Sequence, residues 1–405
     1  MLNRILGITT KLTLASFLLC TQMQAQADWT NPTCFPPCNT CECLDGFWGD
    51  VDYLYWKIQN SPEPVPLVIQ GPTLTIPGPV LSGPGTSVVL GSQKIDTGWR
   101  SGGRVTLGYW FDCNHCYGTE VSYFFLPNKT KKHTVSSNGS PSSSLLLVPF
   151  FNVLTEAEDS TAIASPLLGF AGTGTLKLVN EMQGAELNVL TTIPSDFCGS
   201  RLIGLAGFRY WNFDEQLTFT TNSPYNPPHF ADTYTTKDKF STQNNFYGGQ
   251  LGLVWDYNCG CLSVTAKGKI ALGAIYERLI INGHLLTGDY NPFGTVTEYP
   301  GGYFALPTNI GKYSQIKFAA IPEYNLDIKY QLFDRMQLKL GYTIMYVSNL
   351  LWAGKQIDRN INPSQATTYT NALPPMLEGL ASPQANLKTQ TLWVQGLNVG
   401  VEFNF

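Results

Sequence analysis

Thiols, imidazoles and carboxylates are the groups of widest chemical reach in this 405-residue chain. Nine of its ten cysteines lie beyond residue 27: Cys34, Cys38, Cys41, Cys43, Cys113, Cys116, Cys198, Cys259 and Cys261. Cys113-Asn-His-Cys116 has the spacing of a redox or zinc pair. A redox site expects a thioredoxin-like context, and zinc a second ligand pair at suitable spacing, so a structural disulfide is the stronger reading. In an exported chain, structural disulfides are the default, and an odd count leaves at least one thiol unpaired internally. The four histidines, His115, His133, His229 and His284, form no H-E-x-x-H, and three fall on predicted loops, so a Ser-His-Asp arrangement has little material. Gly169-Phe-Ala-Gly-Thr-Gly174 lacks the strand before and helix after it that a nucleotide loop needs. Gly311-Lys312 lacks the glycine five positions earlier that a P-loop needs. No catalytic residue, cofactor or metal is expected.

A second set of charges recurs on one phase of a two-residue alternation: Arg100, Arg104, Glu120, Glu186, Asp256, Lys267, Lys269, Glu323, Asp327, Lys329, Lys339 and Glu402. Both signs are mixed, which argues against strong ion selectivity. Such residues can line a polar channel and set a weak transverse field. They can equally pair across strands and fill the space between them.

The elements that must position these charges are strands. In Phe318 to Tyr330, Phe318, Ala320, Pro322, Tyr324, Leu326, Ile328 and Tyr330 share one face, and Glu323, Asn325, Asp327 and Lys329 the other. In Met336 to Tyr346, Leu338, Leu340, Tyr342, Ile344 and Tyr346 oppose Gln337, Lys339, Gly341 and Thr343. Period two means strand. A soluble sandwich also alternates, but its outer face would be the charged one. Here one face is dense in Tyr, Phe, Leu and Val while the charges sit on the other beside Gly, Ser, Asn and Gln, as in a lipid-facing barrel with a polar lumen.

Ten segments carry this pattern: Phe47 to Ile58, Gly98 to Phe111, Tyr117 to Leu126, Leu176 to Thr191, Arg201 to Phe219, Gln243 to Tyr257, Leu262 to Ile281, Ile316 to Tyr330, Met336 to Val347 and Thr389 to Phe405. Tight turns near Cys113, Cys198, Cys259 and Asp334 alternate with long loops at 59–97, 127–175, 220–242, 282–315 and 348–388. That asymmetry predicts an all-β antiparallel transmembrane barrel with short periplasmic turns and long extracellular loops. The 127–175 loop, with Leu145 to Leu154 inside it, has room for a further hairpin, which would make twelve strands. An open edge in lipid would strand unpaired backbone groups, so the first strand should pair with the last. Trp48, Trp110, Tyr117, Trp255, Tyr257 and Tyr330 are expected in a girdle near the turns, and Trp56, Trp99, Trp211, Tyr346 and Trp352 in one near the loops.

Composition and export signals agree. Charged residues are 13% and aromatics 13%, with 38 Gly and 26 Pro, a balance of sheet and loop. No apolar run approaches the length of a membrane helix. Met1 to Ala27 has a basic start at Arg4 and Lys11, an apolar stretch from Leu12 to Cys20 and an Ala25-Gln26-Ala27 cleavage site, which predicts a signal peptide over 1–27. Residues 28–46 then form a Cys/Pro-rich periplasmic segment, and 47–405 the barrel. The mature chain has a net charge near −6, which makes nucleic acid an unsuitable partner.

At the carboxyl end, Leu397, Val399, Val401, Phe403 and Phe405 alternate with Gly396, Asn398, Gly400, Glu402 and Asn404. This strand resembles the signal read by the outer-membrane insertion machinery, carried by Val401, Phe403 and Phe405.

Phe240-Ser-Thr-Gln-Asn-Asn-Phe-Tyr-Gly-Gly-Gln-Leu-Gly252, Gly207-Phe-Arg-Tyr210 and Leu306-Pro-Thr-Asn-Ile-Gly-Lys-Tyr313 resemble the β-barrel porin family numbered seven. Pro322 to Tyr330, Gly341-Tyr342, Ser348-Asn349 and Gln356-Ile-Asp-Arg-Asn-Ile-Asn-Pro363 extend the resemblance over most of Trp48 to Phe405. It implies a bacterial outer-membrane barrel assigned to diffusion, with no catalytic or ligand residue to carry over. The cysteines depart from the family pattern. Falling on turns or before the first strand, all nine face the periplasm in this reading, where they would form disulfides in the inner rim and to other envelope proteins.

The expected function is passive diffusion of ions and small hydrophilic solutes through the outer membrane. The rival is a structural or surface-interaction protein with a narrow, filled barrel. About eight strands leave an interior filled by side chains and about sixteen an aqueous channel, so ten or twelve fall between. Loop 127–175 or the Leu306 to Gly311 segment is placed to fold inward and constrict the lumen, or to cover the outer mouth.

Overall fold

The computed structural model describes residues 46–62, 65–72, 79–112, 115–194, 199–224, 233–288, 296–365, 368–369 and 377–405. The signal peptide, the Cys34 to Cys43 cluster, Cys113, Cys198 and His229 lie outside them.

Ten strands form the wall: β1 (Phe47–Ile58), β2 (Trp99–Trp110), β3 (Tyr117–Ser137), β4 (Gly172–Ile193), β5 (Ser200–Pro224), β6 (Thr233–Cys259), β7 (Leu262–Gly288), β8 (Gly311–Phe333), β9 (Met336–Leu351) and β10 (Thr389–Asn404). Each pairs antiparallel with its sequence neighbours. The barrel closes through β1 and β10, in register from Trp48↔Asn404 to Ile58↔Val394. Closure leaves no wall edge to expose unpaired amides. At the seam, the Phe405 amide donates to the Phe47 carbonyl at 3.0 Å, and the two rings meet at 5.5 Å.

The alternation is expressed as written. Phe318, Tyr324, Ile328 and Tyr330 are exposed on the outside, while Glu323 and Asn325 are buried within. Of the insertion-signal residues, Phe403 and Phe405 stand exposed on the outer face and Val401 half-buried.

Strand length is where the structure goes beyond the sequence reading. β3 continues eleven residues past Leu126, β5 runs to Pro224, and β6 begins at Thr233. Above Tyr123, Tyr210, Tyr247 and Tyr276, the outer face changes from apolar to polar, with Asn212, Asp214 and Gln216 on β5, Lys239, Gln243 and Asn245 on β6, and Arg278 on β7. These strands therefore cross the membrane and continue as a wall above it. Sequence reading stopped at the apolar band because no lipid-facing pattern marks the extension.

The hairpin expected in loop 127–175 is present: Leu145–Asn152 pairs with Ala157–Ala164. It does not join the wall. Leu145–Asn152 pairs instead with Val68–Gly71 and Asn360–Ile361, and Val68–Gly71 with Ser87–Leu90, as a separate small sheet. Its apolar side chains share one core with inward-facing Leu176, Leu217, Phe219, Phe240 and Leu279 of the extended wall. The Leu306 to Gly311 segment also turns inward, with Leu306 buried in that core.

Trp255, Tyr117 and Tyr330 near the turns, and Trp99 and Tyr346 near the loops, face outward. Trp110, Trp56, Trp211 and Trp352 do not: they are buried inside the barrel, and Trp48 packs against Trp110 there. Residue parity decides this. Trp48, Trp56 and Trp110 share the phase of Asp50, Asp52 and Arg104, and a large ring fills a ten-strand interior as readily as it anchors an interface.

Candidate functional site: the filled lumen

Toward the short turns, the lumen holds a continuous charge network. Arg209, fully buried, pairs with Glu323 through Nη2 and approaches Glu186 at 3.7 Å through Nη1. Lys269 Nζ lies 2.8 Å from Glu186 and 3.4 Å from Glu323, and Arg104 Nη2 lies 3.8 Å from Glu323. Around this centre, Gln250 donates to Glu186 at 2.9 Å, Asn325 to Glu323 at 3.0 Å and Asn188 to Glu120 at 2.9 Å. Lys267 reaches Glu120 at 3.2 Å. Nearer the turns, Lys339 joins Asp50 and Asp52, and Lys329 meets Glu402 at 2.7 Å. Asp327 is inward-facing beside Gly341, where an added Cβ would strike its carboxylate.

Buried charges survive only when paired and hydrogen-bonded, because desolvation otherwise exceeds the attraction. The strand alternation supplies that pairing by placing opposite signs on facing walls: Glu186 on β4, Arg209 on β5, Lys269 on β7 and Glu323 on β8. The structure thus brings Arg104, Glu120, Glu186, Lys267, Lys269 and Glu323 into one network, and Lys339, Lys329 and Glu402 into pairs beside it. It sets Arg100 apart, at the loop end. There Arg100 donates to Asn180 Oδ1 at 2.6 Å and Thr97 Oγ1 at 2.9 Å. Sequence reading missed Arg209, Asp50 and Asp52. The signal was available: Phe208 and Tyr210 face lipid, so Arg209 between them must face inward.

Above this network lies an apolar layer that includes Trp56, Phe124, Met182, Trp211, Phe213, Phe246, Met345 and Trp352. Arg104 bridges the two tiers, its guanidinium 5.2 Å from the Trp56 ring centre.

Above the membrane, two buried carboxylates fasten the inward-folded loops to the extended wall. Glu215 accepts Ser61 Oγ at 2.9 and 3.0 Å, the Ala353 amide at 3.1 Å and Asn180 Nδ2 at 3.3 Å. Asp238 accepts the successive amides of Tyr303, Phe304 and Ala305 at 3.0, 2.9 and 2.7 Å. Gly302 permits this approach, since a Cβ there would meet the Asp238 carboxylate. Burial pushes the Glu215 carboxyl up to about 7 and that of Asp238 up to about 6, in spite of the hydrogen bonds that favour their charged forms. Asn244 ties β6 to the end of β9, exchanging bonds of 2.8 and 3.1 Å with the Leu351 backbone.

Cys116, Cys259 and Cys261 are free thiols. The disulfides expected among inner-rim cysteines are therefore not formed by these three. Cys259 and Cys261 flank Gly260, whose positive φ of 62° closes the turn, and both point into solvent. Among the described residues no cluster of metal-ligating side chains occurs.

A closed, ten-stranded antiparallel barrel with an apolar belt, short turns at one end and long loops at the other defines an outer-membrane β-barrel protein. The model of the family Putative beta barrel porin-7 (BBP7) matches residues 48–405, and the chain belongs to that family. No curated protein sequence matches. Among solved structures, the chain is similar to outer membrane protease OmpT from Escherichia coli at 9% identity, covering 90% of this chain and 100% of that chain with a TM-score of 0.41. It is similar to a mutant of TodX, a monoaromatic hydrocarbon channel, at 10% identity, covering 93% of each chain with a TM-score of 0.22. A Pseudomonas aeruginosa FadL homologue is 9% identical, covering 89% of this chain and 90% of that chain with a TM-score of 0.21.

Proposed function

We propose that this outer-membrane barrel is closed at rest and acts as a structural and surface-presenting protein, with the extended wall holding a rigid loop core outside the cell. The observation that carries this reading is the filling of the lumen on three successive levels: the Arg209 network, the tryptophan-rich layer and the loop core. A hydrated pore needs a continuous polar path, and the tryptophan-rich layer interrupts it. Non-catalytic action fits the match to the porin-7 family model over residues 48–405.

Passive diffusion of ions and small hydrophilic solutes is the second reading. It is favoured by the placement of Glu215 and Asp238, which fasten loops rather than wall strands, so release of the loops would leave the barrel intact. Export after removal of residues 1–27, recognition of Phe405 by the insertion machinery, and disulfides from the turn thiols to other envelope proteins complete the proposal.

Single-channel recording of the barrel purified from outer membranes tests it. A folded barrel that stays silent in a planar bilayer is the expected result. Reproducible stepwise conductance at rest would overturn the closed reading in favour of diffusion. Nonreducing electrophoresis of envelopes tests the cross-link, which a purely monomeric band unaffected by reductant would refute.

A further inference from the structure

A groove of about 680 Å³ lies on the outer surface of the wall across β6, β7 and β8. Its outward side chains are Gln243 and Asn245 on β6, Tyr276 and Arg278 on β7, and Ser314 and Ile316 on β8. The register makes these neighbours: Arg278 lies opposite Gln243 on one side and Ser314 on the other, and Tyr276 opposite Asn245 and Ile316. Glu277 and Gln315 also border the groove, but their side chains face inward and bind each other at 2.7 Å.

The groove sits on the boundary where the outer face changes character. Just below it, Phe318 and Leu272 are exposed and apolar. At and above it stand Arg278, Lys312 two residues beyond Ser314 on the same face, and Lys239 of β6. Arg278 and Lys312 are exposed. A concave site at that height, open sideways, meets the outer-leaflet headgroup region and nothing else.

We propose that this groove binds the net-anionic, phosphate-bearing headgroup of an outer-leaflet lipid. Arg278 supplies a planar, permanently charged fork suited to phosphate oxygens. Gln243, Asn245 and Ser314 supply neutral hydrogen bonds to sugar or glycerol oxygens, Lys312 reinforces the positive field, and Tyr276 with Ile316 packs against the first acyl carbons. The inference rests on the membrane placement of the apolar belt.

Native mass spectrometry of the full chain from detergent doped with phosphatidylglycerol or phosphatidylcholine tests it. The expected result is preferential retention of phosphatidylglycerol, reduced about tenfold by Arg278→Ala with Lys312→Ala, the loss of one to two charge-assisted hydrogen bonds. Lys131→Ala on β3 should leave retention unchanged. Equal retention of the two lipids overturns the site, as does retention that survives the double substitution or falls as far with Lys131→Ala. Heat-modifiable gel mobility of every variant reports barrel folding separately. A wild-type barrel that fails to insert into vesicles of either lipid would count against the membrane placement, and one that inserts without headgroup preference against the groove alone.

Discussion

The two ends of the lumen are filled by opposite chemistry. The periplasmic end is packed with Arg209, Lys269, Glu186, Glu323 and their partners, while the extracellular end is packed with Leu, Phe, Ile and Val from loops and from the extended wall. Both fillings occupy space within the same cylindrical wall, but they are held differently. The charge network is built from wall strands and cannot leave without unfolding them. The apolar core joins loop side chains to inward-facing residues of the extended wall, and its loops are fastened chiefly at Glu215 and Asp238. The contrast sets a brace made by the wall strands themselves against a cap made largely by loops.

The sharpest attack on the brace is Arg209→Met. It strands Glu186 and Glu323 with Lys269 and Arg104 as their remaining cations, and should lower wall stability by about 3–5 kcal/mol. The urea midpoint of the barrel in lipid vesicles measures this. Adding Glu323→Gln should recover part of the loss, and no change in the single variant would show that the network braces nothing.

The cap is expected to respond to pH. The docked Glu215 carboxyl titrates near 7 instead of its ordinary 4.5, so the docked state holds its proton more tightly than the released state. Docking is thus strongest below about pH 4.5 and weakens as pH rises through 7, by up to about 3 kcal/mol. Exchange of the Ala353 amide, corrected for intrinsic rate, should accelerate across that window, and Glu215→Gln should flatten the dependence. Faster exchange at low pH would reverse the assignment.

Asp238→Ala removes the acceptor of three consecutive amides and should loosen the 303–305 turn by about 1–3 kcal/mol. Hydrogen exchange at those amides is expected to rise with the urea midpoint of the wall unchanged; a shared fall would mean that cap and wall are one cooperative unit. The smallest effect is expected from Arg104→Lys at the junction of the two tiers, where weakening the contact with Trp56 should cost about 0.5–1 kcal/mol, read from the same midpoint.

The wall was legible because lipid on one side and a polar lumen on the other impose a strict period of two, and each of the ten segments carries it. Within the site, parity alone placed Glu186, Lys269, Glu323 and Lys339 on one face. It also covered Arg209, Asp50 and Trp56, which were passed over or misplaced where residue type was weighed above phase. Tryptophan is common at interfaces, and only the interior volume of a ten-stranded cylinder explains why Trp48, Trp56, Trp110, Trp211 and Trp352 lie inside.

Local alternation and the cost of unpaired amides in lipid are enough to specify the class of the molecule, its strands, their inward and outward faces and the closure of the first strand on the last. Long-range contacts are needed to establish that the wall rises above the membrane, that the hairpin of Leu145–Asn152 and Ala157–Ala164 packs within instead of lengthening the barrel, and that Ser61, Asn180 and Ala353 converge on Glu215. Those contacts join residues up to 154 positions apart, and no local pattern encodes which loop will reach which carboxylate.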